Sequence, residues 1–157
     1  MPTRTLTQLP RQRQPQREIE QLRSPALGYE DPREAGTVRC LAHGFPTPLA
    51  RWHFHEEYEL HLITATSGKA FVGDWIGPFE PGHLVLCGPR LPHNWVSLDL
   101  PEGGVPERDL VIQFAHEPIA KAAQAVPELA EVLPMLERAR HGIEFFGVSQ
   151  AAVAHWQ

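Results

Sequence analysis

His53, His55, Glu59 and His93 are the residues of this chain whose types and spacing could do chemistry. They fall in two groups, His53-x-His55-x-x-x-Glu59 and Leu91-Pro92-His93. Imidazoles and a carboxylate converging from several directions suit a divalent transition metal, and zinc, nickel, iron and manganese are all compatible with such a set. A lone HxH is common and says little. Its weight here comes from the series HxHxxxE, then a Pro81-Gly82 turn, then Pro92-His93. The plainer reading of the same residues is a barrel mouth rich in histidine.

No other reaction centre competes. The chain has no GxSxG nucleophile elbow, no P-loop and no GxGxxG. Cys40 and Cys87 form neither a CxxC pair nor a disulfide framework. An enzymatic reading therefore rests wholly on the metal.

Donors this far apart need strands and turns to bring them together. From Arg51 to Trp95, short apolar runs are cut by Gly68, Gly73, Gly77-Pro78, Pro81-Gly82 and Gly88-Pro89, the pattern of an all-β barrel or sandwich. Leu49–His55 and Tyr58–Ala65 read as strands around Glu56-Glu57. Alternation places Arg51, His53 and His55 on one face of the first. In the second it sets Glu59 and His61 against Tyr58, Leu60 and Leu62. Thr37–Ala42, Lys69–Gly73, Trp75–Phe79, Leu84–Cys87, His93–Leu98 and Asp109–Ala115 complete the strands, with loops at His43–Pro48 and Asp99–Arg108. Arg51, His61 and Trp95 are the candidate ligand-contacting residues. An inward Arg51 suits an anion, while at a rim it suits a salt bridge. His83 reads as an exposed turn residue, and His43, His116, His141 and His155 as histidines with no part in the site.

After Pro118 the period changes to that of helices, Ile119–Val126 and Pro127–His141. Pro134 predicts a break inside the second and Gly142 its stop. Leu129, Val132, Leu133 and Leu136 form an apolar stripe expected to carry a dimer contact. Ile143–Phe146 reads as an apolar link and Gln150–Gln157 as a last helix. Because that helix reaches Gln157 without a C-cap, the chain is expected to continue.

The chain has 157 residues, about one domain, with 42% hydrophobic residues. It carries no apolar run long enough for a membrane helix and no secretory leader, so a cytoplasmic location is expected. Residues 1–23 are net +3 and the remainder −8. An acidic body is poorly suited to gripping DNA by itself. The expected organisation is a disordered basic arm at 1–25, a barrel at 26–117 and a helical dimerisation or linker segment at 118–157.

His53, His55 and Glu59, with Pro81-Gly82 and His93, resemble the two motifs of the cupin superfamily. Trp95 and Val96 stand where that pattern has an asparagine. The resemblance implies a double-stranded β-helix (jelly-roll) barrel, here followed by C-terminal α-helices. RWHFHEEYELHLI, FVGDWIGPF, PGHLVLCGPRLPHNW and ERARHGIEF together resemble the N-terminal sensor domain of AraC-family transcriptional regulators. His83 and Arg90 differ from the acidic residue and the asparagine usual there. That likeness implies a barrel that binds a small-molecule effector, a homodimer, and DNA contact only through a C-terminal helix-turn-helix domain not included in these residues. A stand-alone metal-dependent cupin enzyme, a dioxygenase or isomerase, is the alternative.

Overall fold

The computed structural model describes residues 14–18, 38–147 and Ala154. Its strands are β1 (Gln16–Arg17), β2 (Val38–Phe45), β3 (His53–Phe54), β4 (Tyr58–Ile63), β5 (Gly68–Val72), β6 (Trp75–Phe79), β7 (Leu84–Cys87), β8 (His93–Ser97), β9 (Val105–Phe114) and β10 (Ile143–Phe145). The helices are α1 (His116–Ala125), α2 (Pro127–Ala130) and α3 (Leu133–Arg138), the last tightening into a 3₁₀ turn at Ala139–His141. One five-stranded sheet runs β1-β3-β8-β5-β6, the other β10-β7-β4-β9-β2. All neighbours are antiparallel except β1 and β3. The chain is thus mainly β, with a few helices near its C-terminal end.

The pairing is nested. β5 pairs with β6, β4 with β7, β3 with β8 and β2 with β9. The chain folds back on itself about the β5–β6 turn, and residues far apart in sequence meet as cross-strand partners. His53 lies directly opposite His93 for this reason.

Two apolar layers hold the fold. Between the sheets lie Ile63, Ala70, Val72, Phe79, Val85, Cys87 and Trp95. These are the inward positions of strands whose side chains alternate. On the outer face of the second sheet, Tyr58 and Leu86 pack with Leu136 and Ala139, bordered by Phe114, Ile119, Val132 and Leu133. Gly88 lets the chain after α3 come this close. A Cβ there would stand 2.7 Å from the Ala139 carbonyl carbon, and the Gly88 N–H donates to the Ala139 carbonyl at 2.8 Å.

The strand pattern survives with shifted ends. β2 continues through His43, Gly44 and Phe45, expected as loop, because cross-strand bonds to β9 hold it until Pro46. β9 likewise starts at Val105 inside the expected Asp99–Arg108 loop. The expected strand Leu49–His55 contracts to two residues, since Thr47–Trp52 form turns. The expected helix Pro127–His141 breaks between Ala130 and Leu133, just ahead of Pro134, whose ring cannot continue the ladder. Gly142, at φ 79°, ends the helical stretch. Ile143–Phe145 is a strand rather than a link and pairs with β7. Residues 14–18, read as part of a disordered arm, are also on the fold, with β1 parallel to β3. The barrel boundary at residue 26 and the last helix lie outside the described residues, apart from Ala154.

Part of the expected dimer stripe packs on the chain's own second sheet. Leu136 is 2% exposed within this single chain, and Val132 and Leu133 pack beside it on the second sheet. That surface covers the protein's own strands and Leu136 is not free for a partner. Leu136→Ala is therefore expected to cost about 2–5 kcal/mol in a denaturant titration while leaving the sedimentation coefficient of the native protein unchanged. Dissociation without a loss of stability would restore the dimer contact.

Candidate metal centre

β3, β8 and the segment between β3 and β4 bring His53, His55 and His93 together. Their ring centroids are 4.5 Å apart for His53–His93, 5.0 Å for His55–His93 and 5.9 Å for His53–His55. One ring nitrogen from each lies within 4.8 Å of the others, so the trio could hold a metal ion. The Gly88–Pro92 turn sets His93 in register. Arg90, at φ 63°, donates its backbone N–H to the His55 carbonyl at 2.7 Å.

The imidazoles are oriented alike. Nδ1 of His53 lies 2.7 Å from the Arg51 carbonyl, Nδ1 of His55 3.0 Å from that of Glu57, and Nδ1 of His93 2.8 Å from that of Leu91. A carbonyl oxygen can only accept, so each Nδ1 carries a proton and donates it. Nε2 is then the nitrogen that each could offer an ion, that of His55 only once the proton it shares with Glu59 is displaced. This is the arrangement in which outer hydrogen bonds fix the tautomer of metal-binding histidines. His93 is fully buried, and its Nε2 has no hydrogen-bond partner. A bare buried lone pair facing two other imidazoles and a carboxylate is the observation that fits a cation.

Glu59 on β4 stands beside the trio. Its Oε2 accepts from His55 Nε2 at 2.9 Å and Gln113 Nε2 at 2.8 Å, and its Oε1 accepts from His61 Nδ1 at 2.7 Å. His93 Nε2 is 3.5 Å from Oε1. Burial works to raise the Glu59 pKa, but His93, His55 and His61 hold it well below the ordinary value. His55 is the converse. Burial works to lower its pKa, yet the bond to Glu59 and the charges of Glu59, Glu18 and Glu57 lift it to about 9. Without a metal, His55 is an imidazolium donating from both nitrogens. Burial lowers the pKa of His53 and, together with the His53 ring, that of His93.

A second polar layer lies behind this one. His61 Nε2 is 3.4 Å from Asp109 Oδ2, and its ring stacks on Trp95 with centroids 3.9 Å apart and planes at 17°. Burial opposes its charge, but Asp109 and Glu59 outweigh burial and lift the pKa to about 9. A charged imidazole on an indole face gains further from the ring quadrupole. Asp109 also accepts from Arg108 Nε at 2.8 Å and pairs with His43 Nδ1 at 3.1 Å. Arg108 in turn donates to the Trp95 carbonyl at 2.9 Å.

The four residues expected as metal ligands thus meet, three as a tight trio and Glu59 at hydrogen-bond distance from His55. His61 and Trp95 line the adjoining cavity, but both are spent on neighbours. Arg51 contributes its carbonyl to His53; its side chain is not among the cavity walls. Sequence reasoning missed Glu18, His43, Asp109 and Gln113. His43 was set aside because its segment reads as loop, and Asp109 and Gln113 because their partners lie on other strands. His83 was expected to be exposed, yet its side chain is only 5% exposed. Burial lowers its pKa to about 4, and its Nδ1 accepts from Trp95 Nε1 at 3.3 Å. Among the described residues no helix is long and apolar enough to cross a membrane. No protein-family model and no curated protein matches the chain.

The metal-free protein should show a stability maximum near pH 6.5. His61 and His55 have pKa values raised from 6.5 to about 9, so their contribution is full below 6.5 and is lost as pH rises through 9. His53 and His93 are lowered from 6.5, so theirs is present above that value and is lost as pH falls below it. Melting temperatures measured in chelator across pH 5–10 should trace this peak, and His61→Gln should shrink its alkaline limb. A flat alkaline limb in the parent would contradict the two imidazolium assignments.

Proposed function

We propose that the chain is a cupin-type barrel that holds a divalent transition metal and serves as the effector-sensing module of an AraC-type regulator. The observation that carries this reading is the close trio of imidazoles whose Nδ1 protons are all tied to carbonyls, with Nε2 of the buried His93 left without a hydrogen-bond partner. Zinc, nickel, iron and manganese all suit that donor set. The nested pairing of β2 to β9 supports the jelly-roll assignment, since such a fold is a long antiparallel hairpin wound into two facing sheets. His53, His55 and His93 would hold the ion, with Glu59 adding a carboxylate; bound there, it supplies a fixed positive centre.

Sensing suits the site better than turnover. A catalytic metal keeps a position open to substrate. Here the cavity beside the cluster has about 30 Å³, room for roughly two waters. An organic effector has to shift the wall, and a ligand that binds the shifted form better would change the balance of two conformations. The effector class in this reading is a small polar or anionic molecule, drawn by the cation into the cavity that His61 and Trp95 line. A homodimer, also part of the reading, has to use apolar surface other than Leu136. DNA contact belongs to a C-terminal helix-turn-helix domain.

Zinc or nickel titrated into chelator-stripped protein is expected to bind at about one ion per chain and to release about one proton, that of His55. Apparent affinity should rise with pH towards 9, because the metal competes with that proton. His53→Ala and His93→Ala should each lose more affinity than the roughly 10–100-fold typical of removing an outer partner. Unchanged binding in both would sink the site. Metal-dependent turnover that vanishes in both would favour the cupin enzyme.

A further inference from the structure

β1 reaches the metal cluster from outside the barrel. It runs parallel to β3 with Gln16 opposite His53 and Arg17 opposite Phe54. Carried one residue further, this register sets Glu18 against His55. Alternation then puts Glu18 on the histidine face and Arg17 on the other, where it pairs with Glu56 at 3.1 Å. Glu18 is 5% exposed and lines the same cavity as His53 and Glu59. Its Oε2 lies 3.9 Å from His55 Nε2 and has no hydrogen-bond partner among the described residues.

A buried carboxylate oxygen without a donor is costly, and a two-residue ladder offers little to offset it. A shared cation removes that cost. Two donor atoms each about 2.1 Å from one ion are about 3.0–4.2 Å apart, depending on the angle between them. The 3.9 Å from Glu18 Oε2 to His55 Nε2 falls in that range.

We propose that Glu18 is a further ligand to the metal, delivered by the N-terminal strand, so that docking of β1 and occupancy of the site are coupled. This rests on the metal reading of His53, His55 and His93. Coupling is reciprocal: whatever affinity the ion gains from Glu18, the docked strand gains from the ion. Metal binding thereby becomes a conformational signal at the N-terminal end, reported by exposure of the bond after Arg17.

The test combines zinc titration with limited trypsin digestion of the full chain, with cleavage after Arg17 followed by mass spectrometry. In the parent protein zinc should slow that cleavage at least tenfold. Glu18→Gln, which keeps size and polarity but not charge, should weaken zinc binding at least about tenfold and abolish the protection. Gln16→Pro removes the Gln16 N–H bond to the Trp52 carbonyl and should weaken zinc binding in the same way with Glu18 intact. If both variants bind zinc like the parent, and zinc leaves cleavage unaltered, Glu18 is no ligand although the histidine site stands. If the parent itself binds no zinc or nickel, the metal reading fails and this inference with it.

Discussion

The buried carboxylate of Glu59 is the constraint on which the interior depends. An ionised carboxylate taken out of water costs several kcal/mol unless donors replace its hydration. Three donors do so, and they come from different parts of the chain: His55 ahead of β4, His61 on β4 itself and Gln113 on β9. Each must in turn be held in one orientation. Arg39 on β2 donates to the Gln113 carbonyl oxygen, which turns the Gln113 amide nitrogen towards Glu59. The Glu57 carbonyl fixes Nδ1 of His55, and Asp109 faces the far nitrogen of His61. One charge therefore ties the central strands of the second sheet to the segment that follows β3.

Charge balance explains why so polar an interior is tolerated. Glu18, Glu59 and Asp109 bring three carboxylates, His55, His61 and Arg108 bring cations within bonding or ion-pair reach of them, and the buried Arg39 joins through Gln113. Paired in this way, Glu59 and Asp109 are held below the ordinary carboxylate range, and the pKa values of the two histidines move upwards rather than down. His53 and His93 show the other outcome. Lacking so close a carboxylate, they stay neutral, and neutral imidazole is the form that binds metals.

Much of this was legible in the sequence, for one physical reason. Strand side chains alternate, so HxH before a turn and a Glu after it fix which residues share a face. That reasoning grouped His53, His55 and Glu59, which the structure brings close together although β3 is only two residues long. The Gly-Pro turn before His93 was visible in the same way. Glu18 was not, because the Pro- and Gln-rich stretch around it has no apolar periodicity and its position is set by a neighbour far along the chain. Asp109 and His43 were hidden alike. They are cross-strand partners in the β2–β9 pair, and such register is a property of two segments together. The helical stripe was legible only in part: period 3.6 groups Leu129, Val132, Leu133 and Leu136, but it does not show that Leu136 packs on the chain's own second sheet.

The electrostatics also bear on what the proposed sensor would sense. A divalent ion held by the trio would replace the His55 proton and so would add one net positive charge to the metal-free interior. In surroundings of low dielectric such an excess is not screened by water. The excess favours an anion, and the cavity beside the cluster already admits one carboxylate, that of Glu18. A small anionic effector would meet the same cation and compete with Glu18 for it. Competition of that kind would turn ligand binding into undocking of β1, with no change needed in the rest of the barrel.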